Sequence, residues 1–181
     1  KIHGYGKEID ARAYATVLVK LGDIACIVGD ITSALNYYDD AEKTNDPRIV
    51  TKARFGQGRI ASVMGRHDDA AAHFQDALAN TAESTRDYIA ISNQLCYVYM
   101  SSQRFQEAEA IIERSLSMAQ KLADKEAEAD TLYYLTTLEW YRGGYEAGIA
   151  EGQKLLRFCE KNKLLKQLAF CANLLGSFYQ Q

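Results

Sequence analysis

Proline is almost absent from this sequence: Pro47 is the single example in 181 residues. Proline fixes the backbone angle φ and removes a hydrogen-bond donor, so a chain nearly without it can form long helices. Its abundant alanine, leucine, glutamate and glutamine favour helices as well. Long apolar runs are also absent, because no segment reaches the roughly 20 residues that a membrane-spanning helix requires. We therefore expect a helical protein without a membrane partner.

Paired cysteines and an excess of basic charge are missing too. The four cysteines, at positions 26, 96, 159 and 171, show no paired spacing. Scattered thiols suit a reducing compartment, which predicts a cytoplasmic protein. The formal net charge of −3 provides no basic surface for nucleic acid. With 48% hydrophobic residues, the chain still has enough apolar side chains to fill a core.

The sequence does have an internal repeat. Gly22 and Gly58 stand 36 residues apart, and each is followed by a second glycine seven residues later and by an alanine twelve residues later. Cys96, Thr136 and Gly176 occupy the equivalent position in the later repeats, at intervals of 38, 40 and 40 residues. A period of this length is typical of stacked helical repeats. The glycines are therefore interpreted as turn and close-packing residues rather than as a phosphate-binding loop.

Each repeat is predicted to contain two helices joined by a tight turn. The turns read VGDIT, MGRHD, SQRFQ and GGYEA, and Asp46-Pro47 and residues 84–87 are helix-start signals. A single pair of this kind buries its apolar face only by stacking on its neighbours. The predicted helices span residues 8–28, 30–44, 48–64, 67–82, 85–101, 105–123, 126–142, 145–161 and 164–180.

These repeats resemble tetratricopeptide repeats. The segments that carry the resemblance are LGDIACIVGDITSALNYYDDAEKTNDP, GQGRIASVMGRHDDAAAHFQDAL and QLCYVYMSSQRFQEAEAIIERSL. The resemblance implies an all-α, right-handed α-solenoid of antiparallel helix hairpins. Its repeats would lie at about 8–46, 47–84, 85–124 and 125–163, with a truncated fifth from 164. We therefore expect residues 1–181 to form a single array, cut from a larger protein.

The repeat period also resembles that of particular larger proteins. It is longer than the family's usual unit, as in the repeats of bacterial signal-transduction ATPases, cyclases, kinases and activators of the maltose-regulator type. In those proteins the array accompanies a nucleotide-binding or output module. The resemblance thus implies a signalling or regulatory context.

Residues that could carry chemistry form no recognisable constellation. A Walker loop needs Gly-Lys-Ser/Thr, whereas Asp30 and Arg66 follow the second glycines. His67 and His73 are six residues apart on one predicted helix, which turns them away from a shared zinc site. The cysteines have no predicted histidine or cationic neighbour to activate them. We predict no enzyme, no cofactor and no metal site.

The concave surface of the predicted solenoid is the remaining candidate site. Equivalent positions in successive first helices must project to the same side, and here they are rich in aromatic and amide side chains rather than in the lysine and glutamate of a solvated face. The family's carboxylate clamp fits only Arg59 and Asn93, and Asp23 would repel a carboxylate, so a chaperone-tail adaptor is disfavoured. The predicted groove comprises Phe55, Arg59, Asn93, Tyr97, Tyr133, Thr137, Trp140, Asn173 and Ser177.

The sequence thus predicts a non-catalytic module that binds a protein or peptide partner, or another domain of its own chain, through this groove. Two alternatives stay open: a self-association scaffold, and an intramolecular regulatory domain of a multidomain ATPase, kinase, cyclase or transcription regulator. Self-association would use the helix within residues 164–181, which has apolar side chains but no second helix of its own to cover it.

Overall fold

The computed structural model of the chain describes residues 11–180, which form α-helices joined by short turns, with no β-strand in that range. The all-α class is confirmed, and the helix ends agree with the predicted ones to within three residues. The predicted start of the first helix, at residue 8, lies outside the described residues. The nine helices of this range are α1 (Ala11–Val28), α2 (Ile31–Glu42), α3 (Pro47–Val63), α4 (His67–Ala79), α5 (Arg86–Ser101), α6 (Phe105–Lys121), α7 (Lys125–Arg142), α8 (Tyr145–Asn162) and α9 (Leu165–Phe178).

Short polar side chains begin several of these helices. Asp30, Thr85 and Asp124 each accept a hydrogen bond from the backbone N–H three residues later. The Asp46 side chain accepts hydrogen bonds from the backbone N–H groups of Arg48 and Ile49, and Pro47 follows it as the first residue of α3. These bonds satisfy N–H groups that the first turn of a helix leaves unpaired. The start signals predicted at Asp46-Pro47 and in residues 84–87 are confirmed.

The helices end at turns that need a left-handed residue. Gly29, Gly65 and Gly143 have φ values of +83°, +72° and +74° and terminate α1, α3 and α7. Glycine adopts this conformation without the steric cost that a side chain adds. In the third repeat Gln103 takes the same place with φ of +61°. The interpretation of Gly29 and Gly65 as turn residues is therefore confirmed.

The chain divides into two compact units, residues 1–81 and 82–181. Unit 1 contains α1 to α4, and unit 2 contains α5 to α9. We call the first helix of each repeat an A helix (α1, α3, α5, α7 and α9) and the second a B helix. In unit 1 each A helix packs on its B helix, and α3 also packs on α1 and α2. The predicted hairpins thus stack within the unit.

Tyr38 is the central core residue of unit 1. Its ring is fully buried between Gly22 of α1 and Gly56 of α3. A Cβ atom on Gly22 would lie 2.6 Å from the ring, and one on Gly56 would lie 2.2 Å from it. Phe74 takes the same role in the next repeat, against Gly58 at 2.7 Å. The glycines therefore allow an aromatic B-helix residue to touch the backbone of an A helix.

A polar cluster joins α2, α3 and α4 in unit 1. The Arg54 guanidinium lies 3.0 Å from a carboxylate oxygen of Glu42 and 4.0 Å from one of Asp76. It also lies 3.3 Å from Nδ1 of His73. Because arginine can only donate, Nδ1 accepts this bond and the His73 proton resides on Nε2. Burial, with Arg54 beside it, lowers the pKa of His73, whereas burial raises the pKa of Glu42.

Unit 2 extends the same packing with a fifth A helix. The helix α5 packs on α6, α7 packs on α8, and α9 lies against both α7 and α8. The side chains of Cys171 and Leu175 on α9 join Leu155 and Cys159 of α8 in one apolar cluster. Phe178 covers Gly148, where a Cβ would lie 2.2 Å from the ring. One face of α9 is therefore a core face, supplied with partners by the preceding hairpin.

The thiols of unit 2 are core side chains. Cys96, Cys159 and Cys171 are free and fully buried. The Cys96 thiol donates to the carbonyl of Ala108 at 3.6 Å, and burial raises its pKa to about 12. A thiol held protonated in this way is a weak nucleophile. These three cysteines therefore serve as small apolar side chains of the core.

Candidate binding surface

Four aromatic rings lie together on the A helices of unit 2. Tyr97 of α5 meets Tyr141 of α7 edge-on, with ring centroids 6.3 Å apart. Tyr133 of α7 meets Phe170 of α9 at 6.4 Å. Burial, and to a lesser degree the nearby Tyr97, raises the pKa of Tyr133. We call Tyr97, Tyr133, Tyr141 and Phe170 the aromatic strip; it crosses all three A helices of the unit.

The strip remains accessible to solvent. Tyr97 is 39% exposed and Phe170 is 51% exposed, while Tyr133 and Tyr141 are half-buried. An exposed aromatic ring offers a large contact area and loses little conformational entropy when it is covered. A partner that covers the strip therefore buries apolar surface that is exposed in the free protein.

Hydrogen bonds between neighbouring helices hold the rings in place. Gln94 donates to the hydroxyl of Tyr134 at 2.7 Å, and the hydroxyls of Ser101 and Tyr141 are hydrogen-bonded at 3.3 Å. Both bonds link α5 to α7. Tyr134 also packs edge-on against Tyr133, with centroids 5.8 Å apart. Because these hydrogen bonds already hold the rings in place, a partner that binds them causes little further loss of conformational entropy in the protein.

Two predicted groove residues lie beneath this surface. Asn93 is 3% exposed, and its amide donates to the hydroxyl of Thr131 at 3.2 Å across the contact between α5 and α7. Thr137 is 8% exposed and donates to the carbonyl of Tyr133 at 2.8 Å. Neither side chain presents a free polar group to solvent. Their place in the site is to position the helices that carry the rings.

The other predicted residues of unit 2 flank the strip. Trp140 is half-buried and packs edge-on against Phe178 and Tyr145, with centroids 5.2 Å and 5.6 Å apart. Asn173 is exposed on α9, and the half-buried Ser177 donates to its carbonyl at 3.3 Å. The structure therefore brings Tyr97, Tyr133 and their neighbours together and places Trp140 in a separate cluster.

Several ionised groups on the helices that carry the strip have polar partners within the chain. Arg86 bonds to Glu126, which raises the pKa of Arg86, and lies 3.5 Å from Asp124. The side chain of Gln167 donates to Asp130 at 3.1 Å. At the rim, the Lys166 ammonium lies 5.8 Å from the centroid of the Phe170 ring. The strip is therefore mainly neutral, and Phe170 has a cation beside it.

Phe170 and Tyr141 are the two strip residues that are absent from the predicted groove. The predicted groove positions on each A helix begin three residues before the repeat position held by Gly58, Cys96, Thr136 and Gly176. Phe170 lies six residues before Gly176. The same face of a helix continues one turn further, because positions three or four residues apart share a side. Extending the face by one turn would have found it. Tyr141, one residue after Trp140, carries the edge-on contact to Tyr97.

In unit 1 the predicted residues Phe55 and Arg59 both lie on α3. Phe55 is half-buried against Phe74, with ring centroids 5.7 Å apart. Arg59 is exposed and has no salt bridge within residues 11–180. Asp23 on α1, by contrast, accepts a hydrogen bond from the buried Tyr38 hydroxyl at 2.8 Å. Arg59 is therefore a cation of unit 1 that is available to a partner.

The described residues contain no cluster of three or more His, Cys, Asp or Glu side chains that could hold a metal ion. None of the helices in the same range is long and apolar enough to span a membrane. What the strip offers is apolar contact and hydrogen bonding, which are the means by which a surface binds another polypeptide.

Comparisons with known proteins agree with the fold. The profile of the tetratricopeptide repeat family matches residues 87–161, which confirms the resemblance seen in the sequence over that range. None of the curated protein sequences matches the chain. The fold is similar to the crystal structure of BtubC (BKLC) from P. vanneervenii, with a TM-score of 0.73 at 19% identity, covering 97% of this chain and 78% of that one. It is also similar to MamA, residues 41 to the end, from Desulfovibrio magneticus RS-1, with a TM-score of 0.56 at 17% identity, covering 92% and 94%.

Proposed function

We propose that this chain is the partner-binding module of a larger signalling or regulatory protein, because the profile of the tetratricopeptide repeat family matches residues 87–161. The repeat is in general a protein-interaction fold, and fold alone does not identify a partner. The partner is a protein, a peptide or another domain of the same chain. The module has no catalytic role and works in the cytoplasm.

The aromatic strip is the observation that carries this proposal. Exposed rings such as Tyr97 and Phe170 belong to the residue class that dominates binding energy at protein interfaces. They stand on a framework of hydrogen bonds such as that from Gln94 to Tyr134. The four strip side chains are uncharged, and Lys166 beside Phe170 is the cation that a partner leaves in solvent or pairs with a carboxylate. An extended or helical peptide with apolar side chains fits this chemistry.

Unit 1 contributes a second binding surface in this proposal. Phe55 and Arg59 on α3 belong to this surface. Arg59, which lacks a salt bridge within the described range, is suited to a carboxylate of the partner, because a guanidinium binds a carboxylate through two parallel hydrogen bonds.

The experiment is a comparative capture. The biotinylated protein and its Tyr97→Ala and Phe170→Ala variants are used to capture proteins from an extract, which are then measured by quantitative mass spectrometry. We expect partners that both variants lose about tenfold or more, as truncated interface anchors do. Leu122→Ala is the matched control, because Leu122 is 41% exposed, in the same unit, but at the end of a B helix. Equal capture of partners by all four proteins would contradict the proposed role of the strip in binding.

Self-association through the helix at 164–181 is a second candidate function, and the exposed side of α9 favours it. Leu165 is 77% exposed, and Tyr179, just after the helix, is 63% exposed. A Cβ on Gly176 would meet no atom within 4 Å, whereas Gly22 and Gly58 are each covered by an aromatic ring. The double variant Leu165→Ser/Tyr179→Ser, examined by light scattering at two concentrations, tests this contact.

A further inference from the structure

A group of lysine side chains lies at the turn from α8 to α9. Lys161 is in the last turn of α8, Lys163 caps that helix, and Lys166 is in the first turn of α9. All three are exposed, and none forms a salt bridge within residues 11–180. From residue 160 to residue 166 these three cations stand against the single carboxylate of Glu160, a local net charge of +2. We call Lys161, Lys163 and Lys166 the basic turn.

The fold explains the charges of the basic turn only in part. Lys161 and Lys163 lie at the C-terminal end of α8, where a cation stabilises a helix. Lys166 lies at the N-terminal end of α9, where a cation is disfavoured. At the equivalent position of α5, Arg86 is paired with Glu126 of α7, whereas Lys166 has no ion pair with any described residue. The helix dipole therefore accounts for two of the charges and opposes the third.

The basic turn continues the aromatic strip. The Lys166 ammonium lies 5.8 Å from the centroid of the Phe170 ring, and the two residues are four apart on α9, so they share one side of the helix. Phe170 is 51% exposed on the last of the helices that the strip crosses. Lys163 stands three residues before Lys166, just outside the helix. A segment that leaves the strip over Phe170 towards the start of α9 therefore meets these two lysines next.

Carboxylates of the neighbouring A helix already have other partners. Glu126 of α7 bonds to Arg86, and Asp130 of α7 accepts a hydrogen bond from Gln167 at 3.1 Å. The exposed ammonium groups of the basic turn therefore stay available to a partner. A lysine ammonium donates three hydrogen bonds from a flexible stem, so it can pair with the carboxylate of either aspartate or glutamate.

We infer that the partner of the aromatic strip is a peptide segment in which two or more aspartate or glutamate residues adjoin the apolar residues, and that their carboxylates pair with Lys163 and Lys166. The inference rests on the function proposed above and specifies the chemistry of the partner. The apolar residues cover the rings, and the side-chain carboxylates reach the basic turn. A polyanion such as nucleic acid or an anionic membrane fits less well, because the whole chain carries a net charge of −3 and repels a large negative surface.

Selection from a peptide library tests the composition of the partner. The probe is a display library of random peptides about twelve residues long, fused through their C-termini so that no free terminal carboxylate is present. It is selected on the biotinylated full chain and, in parallel, on the Tyr97→Ala/Phe170→Ala variant. Peptides enriched about tenfold or more on wild type over this variant, as the loss of interface anchors predicts, should contain aspartate or glutamate beside leucine or aromatic residues.

The inference and the proposed function fail in different ways. Enriched peptides without an excess of aspartate and glutamate overturn the inference and leave the function of the strip standing. Equal enrichment on wild type and on the variant removes the strip as a binding site, and the proposed function and the inference then fall together.

Neutralised lysines test the assignment to the basic turn. An enriched peptide with a fluorescent label is titrated by anisotropy, and Lys163→Gln/Lys166→Gln should raise its dissociation constant about threefold or more at about 50 mM NaCl, as expected for two exposed ion pairs. The difference should disappear at about 500 mM NaCl, where such pairs are screened. Lys20→Gln/Lys52→Gln is the matched control, because it removes two exposed cations of unit 1 that lack salt bridges within the described residues. An equal change in both double variants overturns the assignment, as does displacement of the peptide by phosphatidylserine vesicles or by an oligonucleotide at a lower concentration than by unlabelled peptide.

Discussion

The hydroxyl of Tyr38 lies 2.8 Å from a carboxylate oxygen of Asp23 and donates a hydrogen bond to it. The ring of Tyr38 is fully buried between α1 and α3, whereas the Asp23 side chain is half-buried on α1. The bond thus connects a B-helix core residue to an A-helix side chain. In the next repeat, Phe74 fills the same place without a hydroxyl.

Removing this hydroxyl isolates the bond from the packing. Tyr38→Phe keeps the ring and should lower the free energy of unfolding by about 1 kcal/mol, the usual net contribution of one hydrogen bond. Urea denaturation measures the change. Tyr37→Phe is the control, because the hydroxyl of Tyr37 has no hydrogen bond within residues 11–180. A loss equal in both variants would show that the bond to Asp23 contributes nothing.

Two glycine-to-alanine substitutions, at Gly56 and at Gly176, should have opposite effects on stability. Gly56→Ala should destabilise unit 1 by about 1–3 kcal/mol, the usual cost of overpacking, because its Cβ would lie 2.2 Å from the buried Tyr38 ring. Gly176→Ala meets no atom within 4 Å, so helix propensity should make it stabilising by up to about 1 kcal/mol. Thermal unfolding of the two variants compares them directly. Stabilisation by both would mean that the Tyr38 ring moves aside freely.

Asn93 and Asn173 occupy equivalent positions and should respond differently to truncation. Asn93→Ala removes a buried amide that is bonded to Thr131, and it should cost about 1–3 kcal/mol, the range for a broken buried hydrogen bond. Asn173→Ala lies on an exposed face and should change stability by less than about 0.5 kcal/mol. Chemical denaturation measures both. Equal and small effects would show that Asn93 does not hold α5 and α7 together.

His73 should make unit 1 sensitive to mild acid. Burial and the Arg54 charge lower its pKa, while Asp76 and Asp69 oppose this and Arg66 adds to it. The unfolded chain, with an ordinary histidine pKa near 6.5, therefore binds the proton more readily. Stability from this group is full above that value and is lost as the pH falls below it. The melting temperature should drop less between pH 7.5 and pH 5.5 in His73→Gln than in wild type.

The wild-type and variant comparison isolates His73 from the other titrating groups. Glu42, whose pKa is raised by burial, is present in both proteins and works in the opposite direction, because its folded form takes up a proton more readily than its unfolded form. An identical pH dependence of melting in the two proteins would contradict the role of His73.

Local chemistry explains why the helices were predictable. The turns at Gly29 and Gly65 require a left-handed residue, and the side chain of Asp46 pairs with the first N–H groups of α3. Both signals are contained within a few consecutive residues, so the sequence displays them directly. The close contact of Gly22 with an aromatic residue of α2 could also be inferred, since both recur one period later.

The burial of individual site residues was less predictable, because it depends on a neighbouring helix. Asn93 and Asn173 share one position in the repeat and one residue type. The first is buried since α7 packs over it, and the second is exposed on α9. A repeat offset gives the direction in which a side chain points, but not whether another helix covers it. The same limit explains why Thr137 was predicted at a surface and lies beneath one.

The distribution of thiols makes the two units separately observable. Cys26 is half-buried in unit 1, whereas Cys96, Cys159 and Cys171 are buried in unit 2. Burial raises the pKa of Cys171 to about 11 and that of Cys96 to about 12, so these groups react with a thiol reagent only when their surroundings open. The rates at which Cys96, Cys159 and Cys171 are labelled in native buffer thus report the opening free energy of unit 2, whereas Cys26 in unit 1 is already partly accessible in the folded state. The native chain contains its own probes for local unfolding, without any added label site.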